Sequence, residues 1–232
     1  MPSKKVKAIV TRAVAYNESD MIVTLVSVEE GKLTATVKGC LKPNAKLRYA
    51  ASPMNFGEYV LADTHGRYIV TECSQIESFS EITTDLQKYY SATLILELLQ
   101  KLSENSEPSL FVSALTELNA LADNEKSGAD ATTAFLISAL DKGGSHFDFS
   151  HCAVCKCCLS GECAFDSADG IVCCDCASFN AIKIDAISRQ YLSGEYKNIT
   201  ERLKTKSNML LADLVYTMLG IKISNHYFTE QL

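Results

Sequence analysis

Eight of the ten cysteines in this chain fall between Cys152 and Cys176. Two pairs stand out: Cys152-Ala-Val-Cys155 and, after 17 intervening residues, Cys173-Cys-Asp-Cys176. A C-x2-C turn sets two sulfurs at the spacing of one tetrahedral edge, and two such turns clamp one ion between them. The spacing predicts one zinc held by Cys152, Cys155, Cys173 and Cys176. With four sulfur ligands no coordination position is left open, so the site is expected to be structural. The ligands are thiolates, and binding releases their protons. Cys157, Cys158, Cys163 and Cys174 lie close enough in sequence for any of them to replace one of the four. The pairs Cys155/Cys158 and Cys174/Cys176 give no better spacing than the symmetric choice. His151 precedes the first turn and reads as a surface residue. Disulfides are disfavoured in a reducing compartment. A thioredoxin-like pair would want a βαβ unit, which this sequence does not offer. Cys40 and Cys73 stand alone in strand-like surroundings and read as small core hydrophobes.

Catalysis has no visible candidate. The sequence holds no H-E-x-x-H, no H-x-E paired with P-C-x-x-C, and no G-x-x-x-x-G-K-[ST]. Gly143-Gly144 is too short to cradle a phosphate, and no Ser/His/Asp constellation stands out. A zinc hydrolase or deaminase would need an open metal position and a general base, and neither is apparent.

A second group of residues suits binding. Lys38, Lys42, Lys46 and Arg48 fall within eleven residues around Gly39 and Pro43, and Arg12 precedes them on a strand-like run. Cations on a loop beside a small barrel suit phosphate contacts, which hold a backbone without reading its sequence. Nearby Tyr49, Phe56 and Tyr59 are either stacking faces for bases or part of the core. Residues 1–50 carry a net charge of +5 and the remaining 182 carry −11. A basic head on an acidic body predicts an anionic partner for one end; otherwise the charges form a solvated basic face.

The elements that must position these residues change character along the chain. Residues 1–80 alternate as strands: Val6 to Tyr16, Met21 to Val26, Lys32 to Lys38, Phe56 to Ala62 and Tyr68 to Cys73. Gly31 closes the Glu29-Glu30-Gly31 turn, and Asp63 to Gly66 makes another. Five short strands with little helix between them predict a small barrel, since closure removes exposed edges. From about Thr84 the period becomes helical, through Leu86, Tyr90, Leu94 and Leu98. Pro108 opens a second helix, and Asp123 to Asp130 reads as a loop. Ala131 to Leu140 reads as a third helix ended by Gly143-Gly144, with two more over Asp185 to Leu192 and Thr200 to Leu219.

Composition narrows the class further. Apolar residues make up 47% and charged residues 22%, which excludes general disorder. The densest apolar stretch, Leu94 to Leu99, is broken by Glu97, so no membrane helix is expected. No secretory signal follows Lys4, Lys5 and Lys7, and the expected location is the cytoplasm.

Several of these segments together resemble a known family. Ile9-Val-Thr-Arg12, Asn17-Glu-Ser-Asp20, Val23-Thr-Leu25, Gly31-Lys-Leu33 and Val37-Lys-Gly39 are similar to the N-terminal domain of RecO, the bacterial recombination-mediator family. Tyr90, Leu96-Glu-Leu98, the Cys152/Cys155 turn, Phe165 and Gly170-Ile-Val-Cys173-x-x-Cys176 resemble its helical and zinc parts. In two places the chain departs from that pattern. Cys40-Leu41-Lys42 replaces a run of arginines, and Lys156 stands where a glycine commonly follows the second cysteine.

The resemblance implies an OB-fold head, a helical body carrying zinc, and no catalysis. It implies binding of single- and double-stranded DNA, annealing of complementary strands, and help in loading RecA onto strands coated by single-stranded-DNA-binding protein. RecR is the implied partner, with RecF in the same pathway, at the nucleoid. The expected fold class is therefore α+β: an OB-fold β-barrel over 1–80, then a helical domain over 81–232 with a four-cysteine zinc module at about 150–180. A zinc-stabilised protein–protein adaptor that touches no DNA is the rival reading.

Overall fold

Strand alternation in the first eighty residues resolves into β1 (Ser3–Tyr16), β2 (Asp20–Ser27), β3 (Gly31–Val37), β4 (Phe56–Thr64) and β5 (Arg67–Glu77). The computed structural model describes residues 3–142, 147–194, 199–224 and 226–229. The five strands close into a barrel in the order β1-β2-β3-β5-β4. All neighbours are antiparallel except β3 and β5, which pair in parallel through Ala35↔Tyr68 and Thr36↔Ile69. This is the topology of an OB-like barrel. Its interior is filled by inward-facing residues of period two, among them Val10, Val23, Leu25, Val37 and Leu61, all fully buried. Cys40 and Cys73 belong to this core, in keeping with their reading as small hydrophobes.

Two helices pack with the barrel: α1 (Leu86–Leu102), capped by the Asp85 carboxylate, and α2 (Pro108–Ala122), with Pro108 in its first turn. Gly31 shows why the joint is specific. Its φ of 73° closes the β2–β3 turn, and a Cβ there would stand 2.3 Å from the backbone of Asn105. Beside it the Lys32 N–H donates to the Ser103 carbonyl at 2.7 Å, and the Ser106 hydroxyl donates to Val28 at 2.6 Å. The Phe56 and Phe111 rings lie 5.9 Å apart.

Packing therefore divides the chain at Glu125, into Met1–Glu125 and Lys126–Leu232. The strand-to-helix change near residue 80 is a change of secondary structure inside the first of these units.

The second unit contains α3 (Gly128–Lys142), β6 (Cys163–Asp166), β7 (Gly170–Cys173), β8 (Ile182–Ile184), α4 (Ala186–Leu192), α5 (Glu201–Leu219) and the short α6 (His226–Thr229). α3 starts at Gly128, so the expected loop to Asp130 is shorter than read. Ser127 accepts the Asp130 N–H at 3.2 Å, a capping arrangement that pulls the helix start forward. The expected stop at Gly143-Gly144 lies outside the described residues. α3 and α5 pack together around a buried polar pair, with the Thr133 hydroxyl donating to Asn208 Oδ1 at 2.6 Å. The strands β7-β6-β8 form a small antiparallel sheet that periodicity did not reveal, because each strand has only three or four residues. No helix among the described residues is long and apolar enough to cross a membrane.

Candidate metal centre and nucleic-acid interface

The metal centre is built by two turns at one end of this small sheet. After Cys152 the chain makes a tight knuckle: the Lys156 N–H donates to the Cys152 carbonyl at 3.0 Å, and the Cys152 N–H to the Cys157 carbonyl at 2.9 Å. Closing it puts Lys156 at a left-handed φ of 61°, a conformation glycine adopts without strain. That explains physically why glycine suits this position. The second turn leaves β7, with the Cys176 and Ala177 N–H groups both donating to the Cys173 carbonyl at 3.1 Å.

The thiols of Cys152, Cys155, Cys157 and Cys173 lie within 4.8 Å of one another. Cys176 is not among these four; its thiol neighbours Cys173, Cys155 and Cys152. The mutually close group thus holds three of the four sulfurs expected from spacing, Cys152, Cys155 and Cys173, with Cys157 as its fourth member. Cys158 and Cys174 are exposed, and Cys174 donates to the Glu162 carbonyl at 3.5 Å. Cys163 is buried in β6, and burial pushes its thiol up to about 12. His151 is exposed and pairs with Asp148 at 3.0 Å, as a surface residue would.

The donor set fits a tetrahedral thiophilic ion. With metal–sulfur bonds of about 2.3 Å, a tetrahedron has edges of about 3.8 Å. The Cys155 and Cys173 sulfurs are 3.8 Å apart. Burial raises the Cys152 thiol, but the backbone N–H groups of Cys173, Cys155 and Val154 outweigh it and bring the value down to about 6. The Cys157 N–H likewise lowers Cys155. Cys157 and Cys176 are pushed up to about 12, chiefly because they hydrogen-bond to Cys155 and Cys173 respectively. Two thiols lowered from their ordinary range beside two that are raised suit a site where cation binding releases protons.

Behind the knuckle the rings of Phe147 and Phe165 stack at 5.7 Å. Arg189 of α4 is wholly buried here. Its Nε donates to the Gly161 carbonyl at 3.1 Å and its Nη1 to Phe149 at 3.2 Å, so one side chain braces both flanks of the first cysteine turn.

The barrel carries the second candidate site. A cleft of about 590 Å3 opens at one end, lined by Tyr16, Asn17, Asp20, Thr36, Lys38, Thr64, His65, Arg67 and Ile69. The β1–β2 and β4–β5 turns form its rims, where Asn17 and His65 take left-handed φ of 57° and 56°. Of the five cations expected to bind DNA, Lys38 lines this cleft. Lys42, Lys46 and Arg48 are exposed on the loop that follows, and Arg12 is exposed on β1 opposite Thr24. Arg48 also braces that loop, donating from its guanidinium to the Lys42 carbonyl at 2.8 Å.

The three aromatic candidates belong to the core rather than to a stacking face. Tyr59 is fully buried, its hydroxyl accepting from Asn55 at 2.7 Å; Tyr49 bonds the Cys73 carbonyl; Phe56 meets Phe111. The exposed ring at the mouth is Tyr16. Sequence reasoning missed Tyr16, His65 and Arg67 because only barrel closure brings two hairpin tips together.

Residues 1–79 match the family model described as Recombination protein O N terminal, and residues 83–204 match Recombination protein O C terminal. The chain belongs to the RecO family. It is 31% identical over 182 residues to the DNA repair protein RecO of Shouchella clausii, covering 75% of this chain and 68% of that one. With the DNA repair protein RecO of Desulforamulus reducens it shares 29% identity over 248 residues, covering 98% and 94%. For that of Clostridium novyi the figures are 28%, 96% and 89%. The family places this RecO chain among the mediators of recombinational DNA repair, and its five-stranded barrel and four-cysteine cluster match the architecture expected of it.

Proposed function

We propose that this RecO chain is a non-catalytic mediator that binds single- and double-stranded DNA, anneals complementary strands and assists RecA loading onto strands coated by single-stranded-DNA-binding protein. RecR is its direct partner, with RecF in the same pathway, at the nucleoid in the cytoplasm. The observation that carries the reading is the cleft at the barrel mouth, where Lys38 and Arg67 stand beside the exposed Tyr16. Cations over a strand's phosphates with one ring for a base are the parts of a sequence-tolerant single-strand groove.

DNA binding resides in residues 1–80, folded within the Met1–Glu125 unit, through Arg12, Lys38, Lys42, Lys46 and Arg48. The acidic remainder serves protein contacts. The metal is one structural zinc whose ligands are drawn from Cys152, Cys155, Cys173 and Cys176. Annealing follows from electrostatic capture of two strands, with base pairing completing the reaction.

The decisive experiment measures annealing of complementary oligonucleotides, naked and coated by single-stranded-DNA-binding protein, across a salt series. Acceleration that falls with salt supports the proposal. No binding at low salt by a folded, metal-loaded chain would leave the adaptor reading in its place.

A further inference from the structure

Strands of a small barrel turn apolar residues inward and polar ones to solvent. This barrel keeps the rule along one outer row, where Arg12 pairs with Thr24 and Thr24 with Thr34, and breaks it along the next. There Val14 pairs with Ile22, Ile22 with Thr36 and Thr36 with Ile69, so β1, β2, β3 and β5 lay one continuous row across the outside of the barrel. Its outward side follows from alternation, because the chain neighbours Ala13, Val23, Ala35, Tyr68 and Val70 belong to the interior core. Val14 is 45% exposed, and Ile22, Thr36 and Ile69 are half-buried. Thr36 and Ile69 also line the cleft at the barrel mouth beside Tyr16, so row and cleft are one surface. Four strands at a spacing of about 4.8 Å make the row about 14 Å long, room for two or three bases.

Cations frame this row. Arg12 stands two residues before Val14 on β1, Arg67 two residues before Ile69 on β5, and Lys38 two residues beyond Thr36, just past the end of β3. The carboxylate in the cleft, Asp20, accepts the Gly39 N–H. Apolar contact framed by positive charge fits a ligand that is anionic along its backbone and apolar on its faces.

We propose that the row Val14–Ile22–Thr36–Ile69, with Tyr16, is a base-binding surface, and that it makes the barrel discriminate single strands from duplex. This rests on the reading that the barrel binds DNA, and deepens it. The loop of Lys42, Lys46 and Arg48 meets phosphates, which both forms present. The row needs the faces of bases, which only an unpaired strand has free. The three framing cations, and the net charge of +5 over residues 1–50, favour a polyanion over an apolar protein segment.

The test is fluorescence anisotropy of the full-length chain with three probes of equal length: a mixed-sequence single strand, an abasic single strand and a duplex. The wild type should bind the mixed-sequence strand about tenfold or more tighter than the abasic one, the worth of a single base on an aromatic platform. Val14→Ser with Ile69→Ser, and separately Tyr16→Ala, should bring this ratio toward one. Duplex affinity and the slope of log affinity against log salt should stay as in the wild type, because no phosphate contact is lost. Crosslinking of the wild type to a thiothymine-substituted strand, read by mass spectrometry, needs no variant to fold. Label should fall within residues 12–24 or 67–71.

Equal wild-type affinity for the mixed-sequence and abasic strands overturns the base-binding row and leaves DNA binding by the barrel standing. So does an equal loss on single strand and duplex in the folded variants, or label confined to residues 40–48. Variants that bind both DNA forms as the wild type does also overturn it, and leave the row to an apolar protein segment. No binding of any probe at low salt overturns the DNA-binding reading itself.

Discussion

The Asp20 carboxylate accepts the Gly39 backbone N–H at 2.7 Å, tying the start of β2 to the loop that carries Lys42, Lys46 and Arg48. That N–H is the chief reason Asp20 stays below the usual carboxylate range, with the Ser19 hydroxyl, Lys38 and Lys42 adding to it. The Leu41 N–H donates to the Ser19 carbonyl at 2.9 Å and completes the anchor. The basic loop is therefore positioned by a carboxylate that also subtracts from its charge. Asp20→Asn keeps an acceptor for Gly39 and removes the charge, so DNA binding at low salt should tighten. Asp20→Ala removes both and should weaken it. Fluorescence anisotropy on a labelled single strand compares them, and equal affinities would show that Asp20 does not organise the loop.

Lys42 and Lys46 have no geometry for bidentate base recognition and should act as point charges on phosphates. On a single strand each lost contact reduces the slope of log affinity against log salt by about 0.7. Lys42→Ala with Lys46→Ala should therefore flatten the slope by roughly 1.4 and weaken every sequence alike, by the same per-contact figure. An unchanged slope and affinity in the folded double variant would mean that the loop only solubilises the barrel.

Cys173→Ser removes a sulfur that belongs both to the set expected from spacing and to the close cluster, at the end of β7. Structural zinc contributes on the order of 10 kcal/mol to its own small unit. The metal content should fall from one per chain to zero, and residues around the cysteine turns should lose protection in hydrogen exchange. Retained metal by elemental analysis would refute this role.

Lys156 holds its left-handed φ while its ammonium donates to the Ala153 carbonyl at 2.8 Å. A non-glycine residue in that region costs roughly 1–2 kcal/mol. Lys156→Gly should tighten metal binding in chelator competition, since the knuckle then closes without strain. A weaker site would show that the contact with Ala153 outweighs the backbone term.

Acid should weaken the α3–α5 pairing. Burial raises the Asp130 carboxyl, but the Lys204 ammonium at 2.7 Å and the hydroxyls of Tyr191 and Ser127 together hold it below its ordinary value of 3.8. Unfolded, Asp130 takes its proton near 3.8; folded, only at lower pH. The pair's contribution is therefore full above that value and is lost as pH falls through the folded one. Asp130→Asn should lower the melting temperature at pH 7 and shrink its decline between pH 5 and pH 3. Parallel pH profiles for variant and wild type would remove Asp130 from the acid response.

Much of this protein was legible in its sequence because the signals are local. Alternation over Lys32 to Lys38 sets which side chains enter the barrel, and Gly31 marks a turn that needs positive φ. Asp185 and Thr200 mark helix starts, Gly220 a helix end, and the Cys152/Cys155 and Cys173/Cys176 spacing announces a tetrahedral metal site. These properties depend on neighbours within a few residues, where backbone geometry leaves little choice. What only the tertiary structure decided depends on closure and register. Parallel pairing of β3 with β5 brings Lys38 to Arg67, across nearly thirty residues of chain, and sends Tyr59 inward while Tyr16 stays at the mouth. Docking of the α1–α2 connection on Gly31, Lys32 and Val28, through Ser103, Asn105 and Ser106, joins α1 and α2 to the barrel in the Met1–Glu125 unit. The left-handed turn at Lys156 brings Cys157 back among the other sulfurs, since spacing counts residues while coordination depends on where the backbone points them.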